Sequence, residues 1–347
     1  MTVTAAVRWP SIARTPRAPL AASVARLIFE RAVQVLPVRA TYPDGRCIGG
    51  GSDDSPVFEV VRPRALFARL VRDTKVGFGE SYMAGDWRPG PGTDLADLLT
   101  PFAARLTNLV PAPLQRLRTI VDKRVPAGQE NSLEGSRENI RAHYDLSNDL
   151  FAAFLDPTMS YSAAWFDDDE PAATATNLEA AQLRKIDGVL DYAGVGPGTG
   201  LLEIGTGWGA LAIRAAQRGA HVTTVTISAE QLAFATEQVA AAGLSDQVEL
   251  LLQDYREIQG QFDAIVSVEM VEAVGEEYWP TYFATLDRLL APGGKVSIQA
   301  ITMAHERVLA TRRSFSWIQK YIFPGGIIPS LQSIDETLAA HTTLRVT

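Results

Sequence analysis

The chain has 347 residues, of which 46% are hydrophobic and 21% are charged, and this composition is ordinary for a globular protein with room for two domains. Its net charge is −8, but residues 1–130 hold 18 basic against 12 acidic side chains, whereas residues 131–347 hold 14 against 28. The single cysteine excludes an internal disulfide framework and fits a reducing cytoplasm. The four histidines lack metal-ligand spacing. No apolar run approaches the roughly 20 residues that span a bilayer.

The first third of the chain is predicted to be a smaller, mainly helical or mixed domain over residues 1–125. Apolar residues between 24 and 35 follow a helical period, and short strands are predicted at 40–42 and 57–61. The basic side chains of this region stand among apolar positions, which suits docking to an anionic membrane surface; a solvated helical face is the plainer alternative. We expect no nucleic-acid partner, since no binding module is present. Residues 110–135, rich in proline and charge, are the predicted linker.

From about residue 178 the sequence alternates between helical and strand patterns. The predicted elements are helix 178–193, strand 200–205, helix 209–218, strand 221–227, helix 229–242, strand 248–252, strand 262–268, helix 277–290 and strand 295–300. The strands are short and apolar, and most are joined by a helix, which favours a parallel sheet with helices on both faces. The sequence therefore predicts a Rossmann-like α/β domain over residues 126–347.

The loop after the first strand of this domain reads Glu203-Ile204-Gly205-Thr206-Gly207-Trp208-Gly209. Alternate glycines permit a tight turn and let a ligand approach the backbone. The acidic residue before the first glycine distinguishes the loop from the dinucleotide pattern GxGxxG. A carboxylate here can bind the ammonium group of S-adenosylmethionine, which has an amino-acid end and no diphosphate. We therefore predict a class I S-adenosylmethionine-dependent methyltransferase, with Glu203 and residues 205–209 at the cofactor.

Polar residues after the next two strands extend the predicted cofactor site. Thr226, Ile227, Ser228 and Gln231 offer mostly neutral polar groups at the place where an acidic residue often binds the ribose hydroxyls. Asp254-Tyr255-Arg256 offers a carboxylate and a ring for the adenine, with simple packing as the alternative for the tyrosine.

The end of the chain continues the pattern with a helix near 334–340, followed by residues 343–346, which are predicted to start a sixth strand. A methyltransferase sheet of this class normally adds a seventh, antiparallel strand. We therefore expect the chain to lack its natural C-terminal end.

Several segments closely resemble the cyclopropane-fatty-acyl-phospholipid synthase and mycolic-acid methyltransferase family. They are His143–Phe151, Asp156–Ser162, Val225–Gln231, Leu251–Arg256, Val266–Gly275 and Lys320–Gly326. A weaker likeness in the N-terminal region runs through Gly77–Trp87. The agreement of six separate segments between about residues 140 and 330 makes the resemblance specific.

The resemblance implies methyl transfer from S-adenosylmethionine to the double bond of an unsaturated acyl chain. The alkene π electrons attack the methyl carbon and leave a carbocation on the neighbouring chain carbon. The site then has to exclude water, orient the alkene and provide a base for one proton. In this family the base is commonly a bicarbonate held by a cysteine, a glutamate, a histidine, a tyrosine and an isoleucine backbone group.

The chain departs from that ligand set. Ala163 stands in the place of the cysteine and Gln299 in the place of the histidine, whereas Glu272 and Ile301 match the family. The tyrosine would lie beyond Thr347. These substitutions count against bicarbonate binding in the family's manner.

The remaining residues suggest how the base site is built. Glu272 is our candidate for the base, or for the group that holds it, with a helix-cap carboxylate as the alternative. Glu269 is a second candidate, and Tyr161 and Ser162 are predicted to close over the sulfonium end of the cofactor. Aromatic side chains at 317, 321 and 323 are candidates for an acyl tunnel, although plain core packing is commoner at such spacing.

The substitutions are most like those of the actinobacterial branch that makes C10-branched, tuberculostearic-type fatty acids. That likeness implies a 10-methylene stearoyl product from an oleoyl chain, with a cyclopropane ring from the same cation as the alternative. It also implies a peripheral position at the inner face of the membrane, phospholipid acyl chains as partners, and a flavin-containing reductase that saturates the product. We further expect a homo-oligomer.

Two other classes of function stay open. A lipid-binding scaffold without catalysis is disfavoured because the cofactor loop is intact. A small-molecule methyltransferase would act on soluble acceptors in the absence of phospholipid.

Overall fold

The computed structural model describes residues 10–16, 19–105, 148–167, 176–312 and 314–347. The chain divides into two compact units, one of Met1–Val125 with Arg313–Lys320 and one of Pro126–Arg312 with Tyr321–Thr347. The predicted linker, the predicted boundary at 125/126 and the segment 143–147 lie outside the described residues. Within the described ranges, no helix is both long enough and apolar enough to cross a bilayer.

The first unit combines helices with a small sheet. Its elements are α1 (Pro10–Ala13), α2 (Pro19–Gln34), β1 (Arg39–Thr41), β2 (Cys47–Ile48), β3 (Val57–Val60), α3 (Pro63–Arg72), α4 (Thr74–Ala84), β4 (Trp87–Pro89) and α5 (Leu95–Ala104). The strand order is β2-β1-β3-β4, in which β1 and β3 are parallel and the outer pairs are antiparallel. The helix α2 and the strands β1 and β3 were predicted. Strands β2 and β4 have too few residues for a recognisable alternation.

Aromatic packing and a buried ion pair stabilise this unit. The rings of Phe58 and Trp87 stack with their centroids 4.4 Å apart. Arg69 is buried and donates from Nε to the buried carboxylate of Asp86 at 2.9 Å. Burial raises the pKa of Asp86, although Arg69 and Arg62 oppose that effect. Arg62 also pairs with Asp86, at 2.8 Å, so loss of Asp86 would leave the buried Arg69 guanidinium without its carboxylate.

Between residues 178 and 299 the other elements follow the predicted alternation. They are α6 (Asn148–Ala152), α7 (Leu178–Ala193), β5 (Gly200–Ile204), α8 (Ala210–Gln217), β6 (His221–Thr226), α9 (Ala229–Ala241), β7 (Val248–Leu252), β8 (Phe262–Val268), α10 (Trp279–Leu289), β9 (Leu290–Gln299), α11 (His305–Thr311), α12 (Trp317–Tyr321) and α13 (Leu331–His341). Short 3₁₀ turns lie at Tyr255–Glu257 and Glu276–Tyr278.

The five strands β5 to β9 form one parallel sheet in the order β7-β6-β5-β8-β9. One buried cluster packs the sheet against α7, α8 and α9, and a second packs it against α10 and α13. This confirms the predicted Rossmann-like fold of a class I methyltransferase. Because the strands are parallel, the loops after β5, β6, β7, β8 and β9 emerge at one edge of the sheet.

The predicted sixth strand at 343–346 is wrong, since these residues form no strand. The backbone N–H and the hydroxyl of Thr343 both donate to the carboxylate of Asp287 in α10, at 2.8 and 2.7 Å. An N–H that a side chain has engaged is not available for a strand ladder.

Candidate active site

The glycine loop has the backbone conformation that its sequence predicted. Gly205, Gly207 and Gly209 have φ angles of +100°, +54° and +95°, in the region that favours glycine. A Cβ on Gly207 would meet nothing within 4 Å, and its N–H has no acceptor among the described residues. The loop therefore leaves open space and a free donor at its middle, directly before α8.

Glu203 is the penultimate residue of β5, and its carboxyl group is buried, only 4% exposed. Its Oε2 accepts a hydrogen bond of 2.6 Å from Thr224 Oγ1 on the adjacent strand β6. Burial raises the pKa of Glu203 to about 8, against the opposing effects of Thr224 and of the nearby Lys185. A ligand ammonium group would offset the desolvation of this carboxylate.

The predicted ribose turn after β6 is held by its own hydrogen bonds. Thr226 Oγ1 donates to Gln231 Oε1 at 2.9 Å and accepts from the N–H of Ser228 at 3.1 Å. The Ser228 hydroxyl caps α9 by accepting from the Gln231 N–H. Ile227 between them is half-buried. The structure thus brings these four residues together at the sheet edge that carries the glycine loop.

The turn after β7 has a structural role. Both oxygens of the buried Asp254 accept from Arg256, at 2.8 Å from Nε and 2.7 Å from a terminal nitrogen. The ring of Tyr255 lies in the core, 7% exposed, with its centroid 5.5 Å from that of Tyr282. These contacts favour the packing alternative for Tyr255, and a role of Asp254-Tyr255-Arg256 at the adenine stays a prediction.

The segment from Ser160 to Ala163 is tied to α7. Gln182, 2% exposed, donates to the carbonyl oxygens of Ser160 and Ser162 at 3.2 and 2.8 Å. Lys185 donates to the Ser162 hydroxyl at 2.7 Å. Burial lowers the pKa of Lys185 to about 8, in spite of the nearby acidic groups.

Sequence reasoning missed Gln182 and Lys185. They lie three residues apart on the face of α7 that also buries Ile186 and Val189. Two polar residues on an otherwise apolar, buried helix face are unusual, and the helical pattern of the sequence could have identified them as candidates.

Trp208 of the glycine loop packs against Phe151, whose ring contacts Tyr161. Its Nε1 donates to Asn148 Oδ1 at 3.0 Å, and its ring lies 5.0 Å from that of Phe151. Phe151 in turn contacts Tyr161 edge-on at 5.1 Å. Tyr161 is 36% exposed, and burial together with the charge of Glu269 raises its pKa. Trp208 is thus placed to orient the segment that was predicted to cover the cofactor.

Glu269, Gln299 and Ala163 meet in one cluster. Glu269 Oε1 accepts from the backbone N–H of Ala163 at 2.8 Å and from Gln299 Nε2 at 3.0 Å. Gln299 Nε2 also donates to the Ala163 carbonyl at 3.1 Å. Glu269 has φ +50°, and Met159 is the other non-glycine residue with positive φ in the described chain. The cluster joins the ends of β8 and β9 to the Tyr161–Ala163 segment.

Glu272 lies on the loop that follows this cluster. Its Oε1 accepts from the backbone N–H of Ile301, and its buried Oε2 has no hydrogen-bond partner among the described residues. Burial, with a smaller contribution from the charge of Glu269, raises the pKa of Glu272 to about 6. Glu272 is therefore a carboxyl group whose ionisation falls near neutral pH.

The aromatic candidates for an acyl tunnel belong to different units. Trp317 belongs to the first unit, where its Nε1 donates to Met83 Sδ at 3.2 Å. Its ring lies where a Cβ on Gly79 would be. This packing contact favours the core-packing alternative for Trp317, and its tunnel role stays a prediction. Tyr321 and Phe323 belong to the second unit, and Phe323 is 42% exposed.

The residues at the sheet edge fit S-adenosylmethionine. The loop supplies open space at Gly207 and an N–H that no described residue accepts, and Glu203 supplies a buried carboxyl group for a cation. Gly205 lies close to the segment that carries Glu269 and Glu272. A Cβ on Gly205 would come within 3.0 Å of Met270, the residue after Glu269. The site can therefore hold a cationic methyl donor beside a group of proton acceptors.

Known proteins resemble this chain over most of its length. Residues 131–347 match the family model described as mycolic acid cyclopropane synthetase. The chain is 51% identical over 344 residues to tuberculostearic acid methyltransferase UfaA1 of Mycobacterium tuberculosis (strain ATCC 25618 / H37Rv), over 98% of this chain and 80% of that protein. It is 38% identical over 281 residues to the cyclopropane-fatty-acyl-phospholipid synthase of Escherichia coli (strain K12), over 80% and 68% respectively. The crystal structure of mycolic acid cyclopropane synthase CmaA1 complexed with SAH and CTAB aligns with a TM-score of 0.54 and 33% identity, over 61% of this chain and 75% of that one.

Proposed function

The chain belongs to the mycolic acid cyclopropane synthetase family, and from this premise we propose that it methylates the double bond of an oleoyl-type phospholipid acyl chain. It is an S-adenosylmethionine-dependent fatty-acyl methyltransferase, and its product is the 10-methylene acyl chain. The observation that carries the proposal is the position of Glu269 and Gln299 at the ends of β8 and β9, next to the glycine loop after β5.

Each part of the site has a task in this reaction. S-adenosylmethionine, when bound, supplies an electrophilic methyl group on a positively charged sulfur. Glu203 would hold its ammonium end, and the glycine loop would let the cofactor approach the backbone. The Tyr161–Ala163 segment excludes water from the reacting carbons, and its hydrogen bonds to Gln182 keep it in place. The carboxylates of Glu269 and Glu272 stabilise developing positive charge and accept the proton.

The product is decided by when the proton leaves. Proton loss before a hydride shift closes a cyclopropane ring, whereas proton loss from the new methyl group after the shift gives a methylene. The 51% identity to a tuberculostearic acid methyltransferase, against 38% to a cyclopropane synthase, favours the methylene. Cyclopropane synthesis remains the second candidate, because both proteins resemble the chain.

A product assay tests the proposal. The full chain is incubated with S-adenosylmethionine labelled in the methyl carbon and with vesicles of dioleoyl phospholipid. We expect exocyclic methylene signals in the NMR spectrum of the released acyl chains, and one added carbon that survives hydrogenation as a branch. A spectrum with cyclopropane signals alone would replace our first candidate by the second.

Two controls separate other classes of function. Calorimetric titration with S-adenosylmethionine that gave no heat would indicate a lipid-binding scaffold. Methylation of soluble acceptors with no requirement for phospholipid would indicate a small-molecule methyltransferase.

The substrate and product suggest further partners. A phospholipid substrate places the enzyme at the surface of the membrane, and we propose its inner face. Saturation of the methylene needs two electrons and two protons, which a separate flavin-dependent reductase would supply. We also propose a homo-oligomer, which light scattering on the purified chain would detect. Conversion of the methylene to a methyl branch only after the reductase is added would support the assignment of two separate steps.

A further inference from the structure

We infer that the carboxylate of Glu269 is the proton acceptor of the methylation, and that the enzyme consequently needs no dissolved bicarbonate. The inference rests on the proposed function and deepens it, because it names the group that receives the proton. It is carried by the hydrogen bonds and the backbone of Glu269.

Two donors converge on one oxygen of Glu269. The Ala163 N–H and the Gln299 amide lie 2.8 and 3.0 Å from Oε1. Gln299 also bonds to the Ala163 carbonyl, so the three groups hold one another in a single arrangement. No donor among the described residues reaches Oε2. One oxygen thus positions the carboxylate, and the other has the capacity to take a proton.

The backbone of Glu269 is held in an unfavourable conformation. A φ of +50° suits glycine, and a residue with a long side chain adopts it at a cost in free energy. The turn after β8 does not need a carboxylate to satisfy its backbone, since the Glu269 N–H donates to the Gln299 carbonyl oxygen, with an N···O distance of 2.8 Å. The backbone strain is therefore retained for the sake of the Glu269 side chain. Residues with such strained backbones cluster at functional sites.

Bicarbonate does not fit this arrangement. The donors that would receive a small anion, the Ala163 N–H and the Gln299 amide, already bond to Glu269. A further anion would also stand between two carboxylates, Glu269 and Glu272, in a partly buried place. Lys185 is the nearby cation, and its ammonium group donates to Ser162. The chain's own carboxylate thus fills the position of the anion.

The proton transfer balances without a further reactant. The π electrons of the alkene form a bond to the methyl carbon as the carbon–sulfur bond breaks, and sulfur keeps that electron pair. A hydride then shifts between the two chain carbons, so that the positive charge moves onto the carbon bearing the new methyl group. A C–H bond of that methyl group breaks, its electron pair forms the exocyclic double bond, and the proton passes to Oε2 of Glu269.

Two substitutions of one residue test the inference. Glu269→Gly removes the carboxylate, relieves the backbone and opens a space beside the Ala163 N–H and Gln299. Glu269→Gln fills the space but cannot accept the proton. We expect both variants to lose at least about 100-fold in methylation rate, the lower end of general-base catalysis. Formate or bicarbonate at tens of millimolar should then restore the glycine variant by about tenfold and leave the glutamine variant unchanged.

Binding gives a readout that does not depend on turnover. NMR titration with ¹³C-formate should show saturable binding to Glu269→Gly and none to the wild-type protein. Calorimetry should give both variants an affinity for S-adenosylmethionine within about threefold of wild type, which establishes that they are folded. Glu277→Gln, an exposed carboxylate in the 3₁₀ turn before α10, is the matched control and should keep full activity.

Several outcomes would overturn the inference. They are a wild-type rate that falls when bicarbonate is stripped from the buffer, a Glu269→Gln variant within threefold of wild type, and a glycine variant that neither binds nor responds to formate. A failure of the proposed function looks different. In that case the wild-type protein yields no methylated lipid, whereas formate binding by Glu269→Gly is still measurable.

Discussion

Glu203 combines a carboxyl group with almost complete burial, and this makes cofactor binding sensitive to pH. Burial raises its pKa to about 8, so the group is largely protonated in the free protein at neutral pH. A bound ammonium group would favour the ionised form, so we expect cofactor binding at Glu203 to release a proton. Burial lowers the pKa of the nearby Lys185 to about 8, and the positive charge of Lys185 opposes the rise in the pKa of Glu203.

We expect the affinity for S-adenosylmethionine to increase as pH rises from 6 towards about 8, and to level off above it. The sign follows from Glu203, whose raised pKa makes the binding-competent ionised form scarce below 8. Glu203→Gln should weaken binding by on the order of 10- to 100-fold, the value of a charge-assisted hydrogen bond, and should flatten the pH dependence. Isothermal titration calorimetry in buffers of different ionisation enthalpy measures both effects. A pH-independent affinity of the wild-type protein would contradict the assignment.

Glu272 should set the acid limb of the activity profile. Burial raises its pKa to about 6, and its ionised form adds a negative charge that would stabilise the developing carbocation. The value of kcat/KM should therefore rise with pH through about 6. Glu272→Gln should remove that limb and lower the plateau by about tenfold, less than the loss in Glu269→Gln. Steady-state rates between pH 5 and 8 test this, and an unchanged limb in Glu272→Gln would assign it to another group.

At the scale of single residues, the sequence allows a candidate site residue to be recognised when its role depends on its neighbours along the chain. The glycine loop and Glu203 were predicted because strand, glycine spacing and acidic residue are contiguous. The cluster of Ala163, Glu269 and Gln299 joins positions more than 100 residues apart, and no local pattern reports which side chain accepts from which donor. The positive φ of Glu269 is likewise visible only in the folded chain.

At the scale of elements, the apolar periods predicted the core helices and strands well. Helix α7 begins and ends where the pattern does, at Leu178 and Ala193, and Gly194 ends it in the left-handed conformation. Strand β7 was also predicted with its bounds. The failure at 343–346 came from a tertiary contact, the bond of Thr343 to Asp287, which a pattern of apolar residues cannot anticipate.

The glycine loop allows stability and cofactor binding to be separated. Gly205 has φ +100°, and a Cβ there would lie 3.0 Å from Met270 Cγ, so Gly205→Ala should lower the free energy of unfolding by about 1–3 kcal/mol. A Cβ on Gly207 would meet no protein atom within 4 Å. Gly207→Ala should therefore cost less stability but should weaken S-adenosylmethionine binding by more than tenfold, because the methyl group projects into the space for the ligand. Urea denaturation and calorimetry measure the two quantities, and the opposite ranking would show that the loop faces away from the cofactor.

At the scale of the whole molecule, the charge is divided along the chain. Residues 1–130 have an excess of six basic side chains, whereas residues 131–347 have an excess of fourteen acidic ones. An acidic catalytic region is repelled by an anionic bilayer, and a basic region is attracted to it. Helix α2 offers apolar side chains for contact with a membrane, because Val24, Leu27 and Val35 are 59, 61 and 59% exposed to solvent. These side chains lie on one face of α2 and its immediate continuation, as their spacing of three and eight residues requires.

We therefore expect Val24→Ser combined with Leu27→Ser to weaken binding to vesicles that contain anionic phospholipid. Burying a Val or Leu side chain in the interface contributes roughly 1.5–3 kcal/mol, so the loss should be at least tenfold even if burial is partial. Leu331→Ser is the matched control, since Leu331 on α13 is 69% exposed but belongs to the acidic second unit. Sedimentation with vesicles measures binding, and raising the salt from about 0.1 to 1 M, where the Debye length falls from about 10 to 3 Å, should weaken it further. Equal losses in the Leu331 control, or binding that is insensitive to both salt and the α2 substitutions, would show that α2 does not mediate membrane binding.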